Sequence, residues 1–123
     1  MKPGGAFVFS ITHPCFNSAG MQRFAEMYED DAGRHVIRTG VKVSSYLSPF
    51  ARKAEGIIGQ PEPQYYFHRP ICVLLQACFA AGFVADGLEE PGLPRPEKQK
   101  AGVRWDDMPE IAPVLAVRMR LAT

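Results

Sequence analysis

The sequence predicts an α/β fold with one main helix and an incomplete sheet, and three segments carry that expectation. Residues 6–11, Ala6-Phe7-Val8-Phe9-Ser10-Ile11, form a nearly continuous apolar run rich in aromatic and β-branched side chains. That pattern suits a strand covered on both faces, as in a parallel sheet. Ile71, Leu74, Leu75, Cys78 and Phe79 recur at helical spacing behind Pro70, and proline suits the first position of a helix because its missing N–H is not needed there. Residues 114–120, Val114-Leu115-Ala116-Val117-Arg118-Met119-Arg120, make a second buried-type strand that turns polar at its end.

Taken in order, Lys2-Pro3-Gly4-Gly5 is a turn that leads into the first strand. From Thr12 the texture changes. Pro14, Asn17, Gly20, the acidic run Glu29-Asp30-Asp31 and Gly33 interrupt any sustained period, which predicts a surface excursion with a short helix over residues 21–28. Val41-Lys42-Val43-Ser44-Ser45-Tyr46 alternates apolar and polar side chains, and residues 64–67 are also β-prone. The two are expected to pair as a small side hairpin, so that residues 12–67 form one lid-like excursion. A helix over residues 70–81 then ends at Gly82 as a left-handed cap, and residues 83–89 form a short strand. Pro91, Pro94, Pro96, Pro109 and Pro113 fall among many charges, and the segment 91–113 is expected to be an exposed connection. Three core strands leave the sheet short. The apolar edge of residues 6–11 would be open, and natural proteins avoid such edges because they template association.

Composition bounds the function. A chain of 123 residues suits a single domain, and 46% hydrophobic against 22% charged residues is the balance of a folded chain. The net charge of +1 is too small to drive nucleic-acid binding by counterion release. The apolar run from residue 71 to 84 is interrupted by Gln76 and falls short of the ~20 residues that cross a bilayer as a helix. Neither nucleic acid nor membrane is an expected partner. Cys15, Cys72 and Cys78 are an odd number of cysteines without a secretory signal, so reduced thiols and a cytoplasmic location are expected. His13 with Cys15 and His68 with Cys72 stand at chelating distance in sequence, but Cys78 does not share the helical face of Cys72 and no paired C-x-x-C exists. No metal site is expected.

Candidate chemistry lies in two places. Ligands of open α/β sheets sit beyond the carboxyl ends of strands, and Thr12-His13-Pro14 follows the first strand. His13 is the candidate catalytic base or hydrogen-bond partner, against the alternative that it satisfies loop backbone groups. Gln64-Tyr65-Tyr66-Phe67-His68-Arg69 packs three aromatics, an imidazole and a guanidinium into six residues. Tyr65, Tyr66, His68 and Arg69 are the candidate substrate-binding residues, with aromatic walls and an arginine able to clamp a carboxylate. The same side chains would equally pack the excursion onto the domain. Glu89-Glu90 and Asp106-Asp107 are expected to remain solvated, and Trp105 to anchor its loop.

Three ordered pieces resemble the class I S-adenosylmethionine-dependent methyltransferases, in particular the small-molecule, type 11-like group. Lys2-Pro3-Gly4-Gly5 entering residues 6–11 is similar to that family's turn into its fifth strand, with Met1 where leucine is usual. His68-Arg69-Pro70 followed by a helix ending Ala81-Gly82-Phe83 is similar to its last helix. Asp86-Gly87-Leu88-Glu89-Glu90-Pro91 and Glu110-Ile111-Ala112-Pro113-Val114-Leu115 are similar to its final antiparallel pair. The resemblance implies the carboxyl-terminal half of a Rossmann-like sheet, strands five, seven and six, and a small-molecule acceptor. It also implies that the elements that grip S-adenosylmethionine precede this chain. No G-x-G-x-x-G occurs in the sequence, and no cofactor-binding residue is assigned. The chain alone is expected to be inactive, and to form a homodimer through the edge of residues 6–11 or by exchange of the excursion. The alternative is a catalytically silent, dimeric interaction or ligand-binding module.

Overall fold

A computed structural model describes residues 1–56, 59–98 and 103–122. Its centre is a three-stranded sheet in the order β1-β7-β6. Strand β7 (Val114–Leu121) lies between β1 (Ala6–Thr12) and β6 (Phe83–Glu89) and is antiparallel to both, so β1 and β6 run parallel to each other. The β1/β7 register pairs Phe7 with Met119, Phe9 with Val117 and Ile11 with Leu115. Directly opposed residues share a face, and this is the face that α1 (Ile71–Ala80) covers. Ile71, Leu75 and Cys78 pack there with Phe9, Ile11 and Phe83 against Leu115, Val117 and Met119, which are 1%, 1% and 0% exposed.

The helix forms where its spacing predicts. Pro70 precedes its first residue, and the Pro70 carbonyl accepts the N–H of Leu74 at 3.0 Å. Proline therefore contributes an acceptor without wasting a donor. At the other end Gly82 takes φ +89°, a left-handed conformation that a Cβ would disfavour.

Three expectations are corrected. Strand β1 is covered on one face only: Val8, on the reverse face, is 64% exposed. There Arg118 and Arg120 converge on Asp86, at 2.8 and 2.5 Å. Residues 21–28 are not helical, because β2 (Met21–Glu29) pairs along its whole length with β3 (His35–Val43). Non-local pairing overrides a helix propensity that is only a weak prior. Residues 64–67 do not pair with 41–46; β5 (Gln64–His68) pairs with β4 (Phe50–Ala54). The excursion is thus two separate ribbons, and the chain is richer in strand than an ordinary α/β unit.

The connection 91–113 divides in two. Most of residues 91–98 are exposed, as expected. Residues 99–102 lie outside the described residues. Beyond them a short 3₁₀ turn (Trp105–Asp107) is followed by Met108, 2% exposed, and buried Pro113. This end of the connection is packed rather than exposed. The Thr39 hydroxyl of β3 donates to the Asp107 carbonyl at 2.8 Å, tying the first ribbon to the turn.

Candidate functional site

The carboxyl end of β1 opens onto a cleft of about 1200 Å³. Its wall draws on several segments: Ile11 and Thr12 from β1, Ser18 from the following loop, Arg23 from β2, Tyr66, Phe67 and His68 from β5, Arg69 just after it, and Trp105 and Asp106 from the 3₁₀ turn. Among the described residues, three buried side-chain polar atoms have no hydrogen-bond partner: Ser18 Oγ, His68 Nδ1 and Asp106 Oδ1, the last of which faces Arg104 Nε as an ion pair at 3.5 Å. All three belong to residues of this wall. A buried polar group without a partner costs about 1–3 kcal/mol, and native proteins hold few of them outside sites that bind water, ions or ligands.

His68 is held rigidly. It is 5% exposed, its Nε2 donates to the Tyr46 carbonyl at 2.7 Å, and its ring lies 5.0 Å from that of Phe50. Donation at Nε2 leaves Nδ1 as the bare acceptor of a neutral imidazole. Tyr46 is fixed in turn, since its hydroxyl accepts the Ile71 N–H at 2.9 Å and so satisfies a donor at the start of α1. Burial pushes the Tyr46 phenol above its ordinary pKa.

His13 sits differently. Its Nδ1 accepts the Cys15 N–H at 3.1 Å and its Nε2 faces Glu90 Oε2 at 2.5 Å. Acceptance at Nδ1 places the proton on Nε2, which donates to the carboxylate. The Pro113 carbonyl accepts both the His13 N–H and the Asn17 side-chain amide, each at 3.0 Å, and Phe16 packs on the imidazole at 4.6 Å. His13 thereby joins the end of β1, the residue after β6 and the residue before β7. It is 1% exposed and does not line the cleft. With both nitrogens engaged inside the protein, the ring acts as a latch between strand ends, away from the cleft to which a catalytic base was expected to point.

Of the candidate substrate-binding residues, the fold brings Tyr66, His68 and Arg69 to the cleft. Tyr65 alternates to the other side of the ribbon, where it is 64% exposed and stacks on Phe67 at 6.4 Å. Trp105, Asp106, Ser18 and Arg23 were not legible as site residues. The Arg23 guanidinium lies 5.8 Å from the centre of the Trp105 ring, and Trp105 lines the cleft as well as anchoring its loop. Asp106 and Asp107 are half-buried rather than solvated, and Asp107 accepts the Arg104 N–H at 2.9 Å.

The outer strands β1 and β6 are parallel, and the last strand runs antiparallel between them. The chain shares its fold with half of a solved structure from Listeria monocytogenes, a protein provisionally named an S-adenosylmethionine-dependent methyltransferase. The two align with a TM-score of 0.65 and 24% identity over 100% of this chain and 50% of that one. The chain therefore spans half the length of the protein it matches. No family model and no curated protein matches the sequence.

Among the described residues, no strand-to-helix junction forms a glycine-lined cofactor cradle. The strand-to-helix junction between β5 and α1 is His68-Arg69-Pro70, without glycine, and the glycine turn at Gly4 and Gly5 leads into a strand. Neither offers the glycine-lined helix start that holds a nucleotide-type ligand in such folds.

Proposed function

We propose that this chain forms the acceptor-binding half of an S-adenosylmethionine-dependent methyltransferase acting on a small molecule. The observation that carries the reading is the cleft at the carboxyl end of β1, whose wall includes Ser18 and His68 with their unpartnered buried polar atoms. Methyl transfer needs an acceptor held in line and relieved of its proton. Tyr66, His68 and Arg69 would contact that acceptor. The methyl donor would be bound by elements outside this chain, placed against the free edge of β1.

The extent of the surface supports a partner. A compact monomer of this mass would expose about 6600 Å², whereas the chain exposes 9118 Å². The excess, roughly 2500 Å², is comparable with what one subunit gives up in the larger obligate interfaces. For the chain alone, a two-fold homodimer by edge pairing of β1 or by exchange of residues 12–67 closes the sheet most simply.

Calorimetry with S-adenosylmethionine tests the division of labour. The chain alone is expected to show no binding, and a fusion to the unmatched half of the Listeria protein is expected to bind. Micromolar binding by a monomeric chain, or a folded fusion that does not bind, would overturn the reading. Sedimentation of the chain at micromolar concentration tests the dimer, and a compact monomer with β1 amides protected from exchange would refute it.

A further inference from the structure

The cleft's polar groups have a sense as well as a number. His68 Nδ1 is an acceptor, and Ser18 Oγ can rotate to suit either role. What they lack is a donor. The charged groups of the wall are Arg23, Arg69, Arg104, Glu55 and Asp106. Arg104 faces Asp106 at 3.5 Å. Arg23 and Arg69 have no carboxylate partner among the described residues and rest only on the Trp105 and Phe67 rings, at 5.8 and 5.9 Å. Glu55 follows β4 at the far end of the second ribbon. The Phe50/His68 and Ala54/Gln64 pairs are four residues apart, or about 13 Å along the strand. That exceeds the ~8 Å over which exposed charges act at physiological salt, so Glu55 does not neutralise Arg69. Trp105 and Tyr66 add flat apolar walls.

We propose that the cleft takes an aromatic carboxylate that also carries a hydroxyl or amino group. Its carboxylate would pair with Arg69, supported by Arg23, and its O–H or N–H would donate to His68 Nδ1. This deepens the acceptor-site reading and rests on it. The donor group is the atom to be methylated, and His68 Nδ1 is placed to receive its proton. Arginine is suited to the other end because its fork matches a carboxylate with two parallel hydrogen bonds.

The test needs no cofactor, because every residue invoked belongs to this chain. Trp105 is the one tryptophan in the sequence, so the single indole N–H resonance of the ¹⁵N-labelled protein reports occupation of the cleft. The probes are 4-hydroxybenzoate and 4-aminobenzoate, compared with methyl 4-hydroxybenzoate, which lacks the charge, and 4-methoxybenzoate, which lacks the donor. One of the first two is expected to shift the Trp105 resonance saturably, with each control at least about tenfold weaker. Arg69→Ala, an exposed position that leaves the fold intact, should weaken the acid about tenfold without changing the ester. His68→Gln should remove the preference over 4-methoxybenzoate, with the dispersion of the spectrum certifying the fold. Equal binding of acid and ester, indifference to Arg69→Ala, or no shift at millimolar acid would overturn the proposal. Those results are independent of the fusion's affinity for S-adenosylmethionine, so this inference and the acceptor-half reading can fail separately.

Discussion

The central sheet and the two ribbons are all held by antiparallel backbone ladders, with a register shift between Ala85 and Gly87 in the sheet, yet they hold their side chains in opposite ways. On β7, Leu115, Val117 and Met119 are all but sealed by α1 and β1. On the ribbons, the directly paired Met27 and Ile37 are 69% and 62% exposed, and Tyr65 and Phe67 are 64% and 66% exposed. Pairing fixes the shape of a ribbon, but only a second layer makes it stable, and two-stranded ribbons alone are marginal in water. The ribbons stay in place through a few anchors: the Thr39 hydroxyl on Asp107, Arg23 over Trp105, His68 on Tyr46, and Arg52 Nη1 donating to the Ala19 carbonyl at 2.9 Å. Every one of these anchors lies close to the cleft. The fold therefore separates a layer that provides stability from arms that provide most of the walls of the cleft.

The largest expected effect lies in the layer. Met119→Ala should cost about 2–5 kcal/mol, whereas Ile37→Ala, on an exposed ribbon face, should cost less than about 0.5 kcal/mol. Urea unfolding of the two variants checks this. Equal losses would mean that the ribbons are buried in the solution assembly, and would point to them as its interface.

Next comes the latch between strand ends. His13→Ala strips the Cys15 N–H of its acceptor and Glu90 of its donor, and should cost about 1–3 kcal/mol. Ligand affinity in the cleft should not change. A variant of normal stability with weakened aromatic-acid binding would return His13 to the site. Within the first ribbon, Gly40 is buried beneath Phe24, and an added Cβ would lie 2.9 Å from that ring. Gly40→Ala should speed amide exchange across β2 and β3 and leave β7 unchanged. Acceleration in both would show that the two regions unfold as one unit.

The same contrast explains what the sequence disclosed. Local signals wrote the layer: Pro70 and the spacing of Ile71, Leu75 and Cys78 specify α1, and apolar runs specify β1 and β7. The ribbons depend on pairing between distant residues. Met21, Gln22, Arg23, Ala25 and Glu26 contain good helix formers, and only β3, reached through the turn at Asp30 and Gly33, makes them a strand. At the cleft, Tyr66, His68 and Arg69 stood out because they are neighbours in sequence. Ser18, Arg23, Trp105 and Asp106 reach it from three separate segments, and no spacing rule joins them. His13 was legible as a residue at a strand end, but its role depends on Glu90, 77 residues away.

The smallest effect compares one carboxylate from each region. Asp30, in the ribbon turn, is held below the ordinary value of 3.8 chiefly by the Arg34 backbone N–H, at 2.9 Å, with a further N–H from Ala32. Asp86, on the sheet, is held below the same value chiefly by the Arg118 side chain, with Arg120 adding to it. Both carboxylates are depressed in the folded state, so each contributes stability that is fully present above 3.8. That stability is lost as pH falls below 3.8 through the folded value, when the proton that binds must displace these partners. Exposure keeps both contributions small. Salt should separate them, because an exposed ion pair is screened within a few ångströms at high ionic strength whereas short hydrogen bonds from a folded turn are not. In a carboxyl-carbon NMR titration the Asp86 midpoint should rise toward 3.8 on going from low to molar salt, and the Asp30 midpoint should stay depressed. If Asp86 kept its depression in molar salt, its two arginines would have to be shielded from solvent, which would place the reverse face of the sheet under a partner.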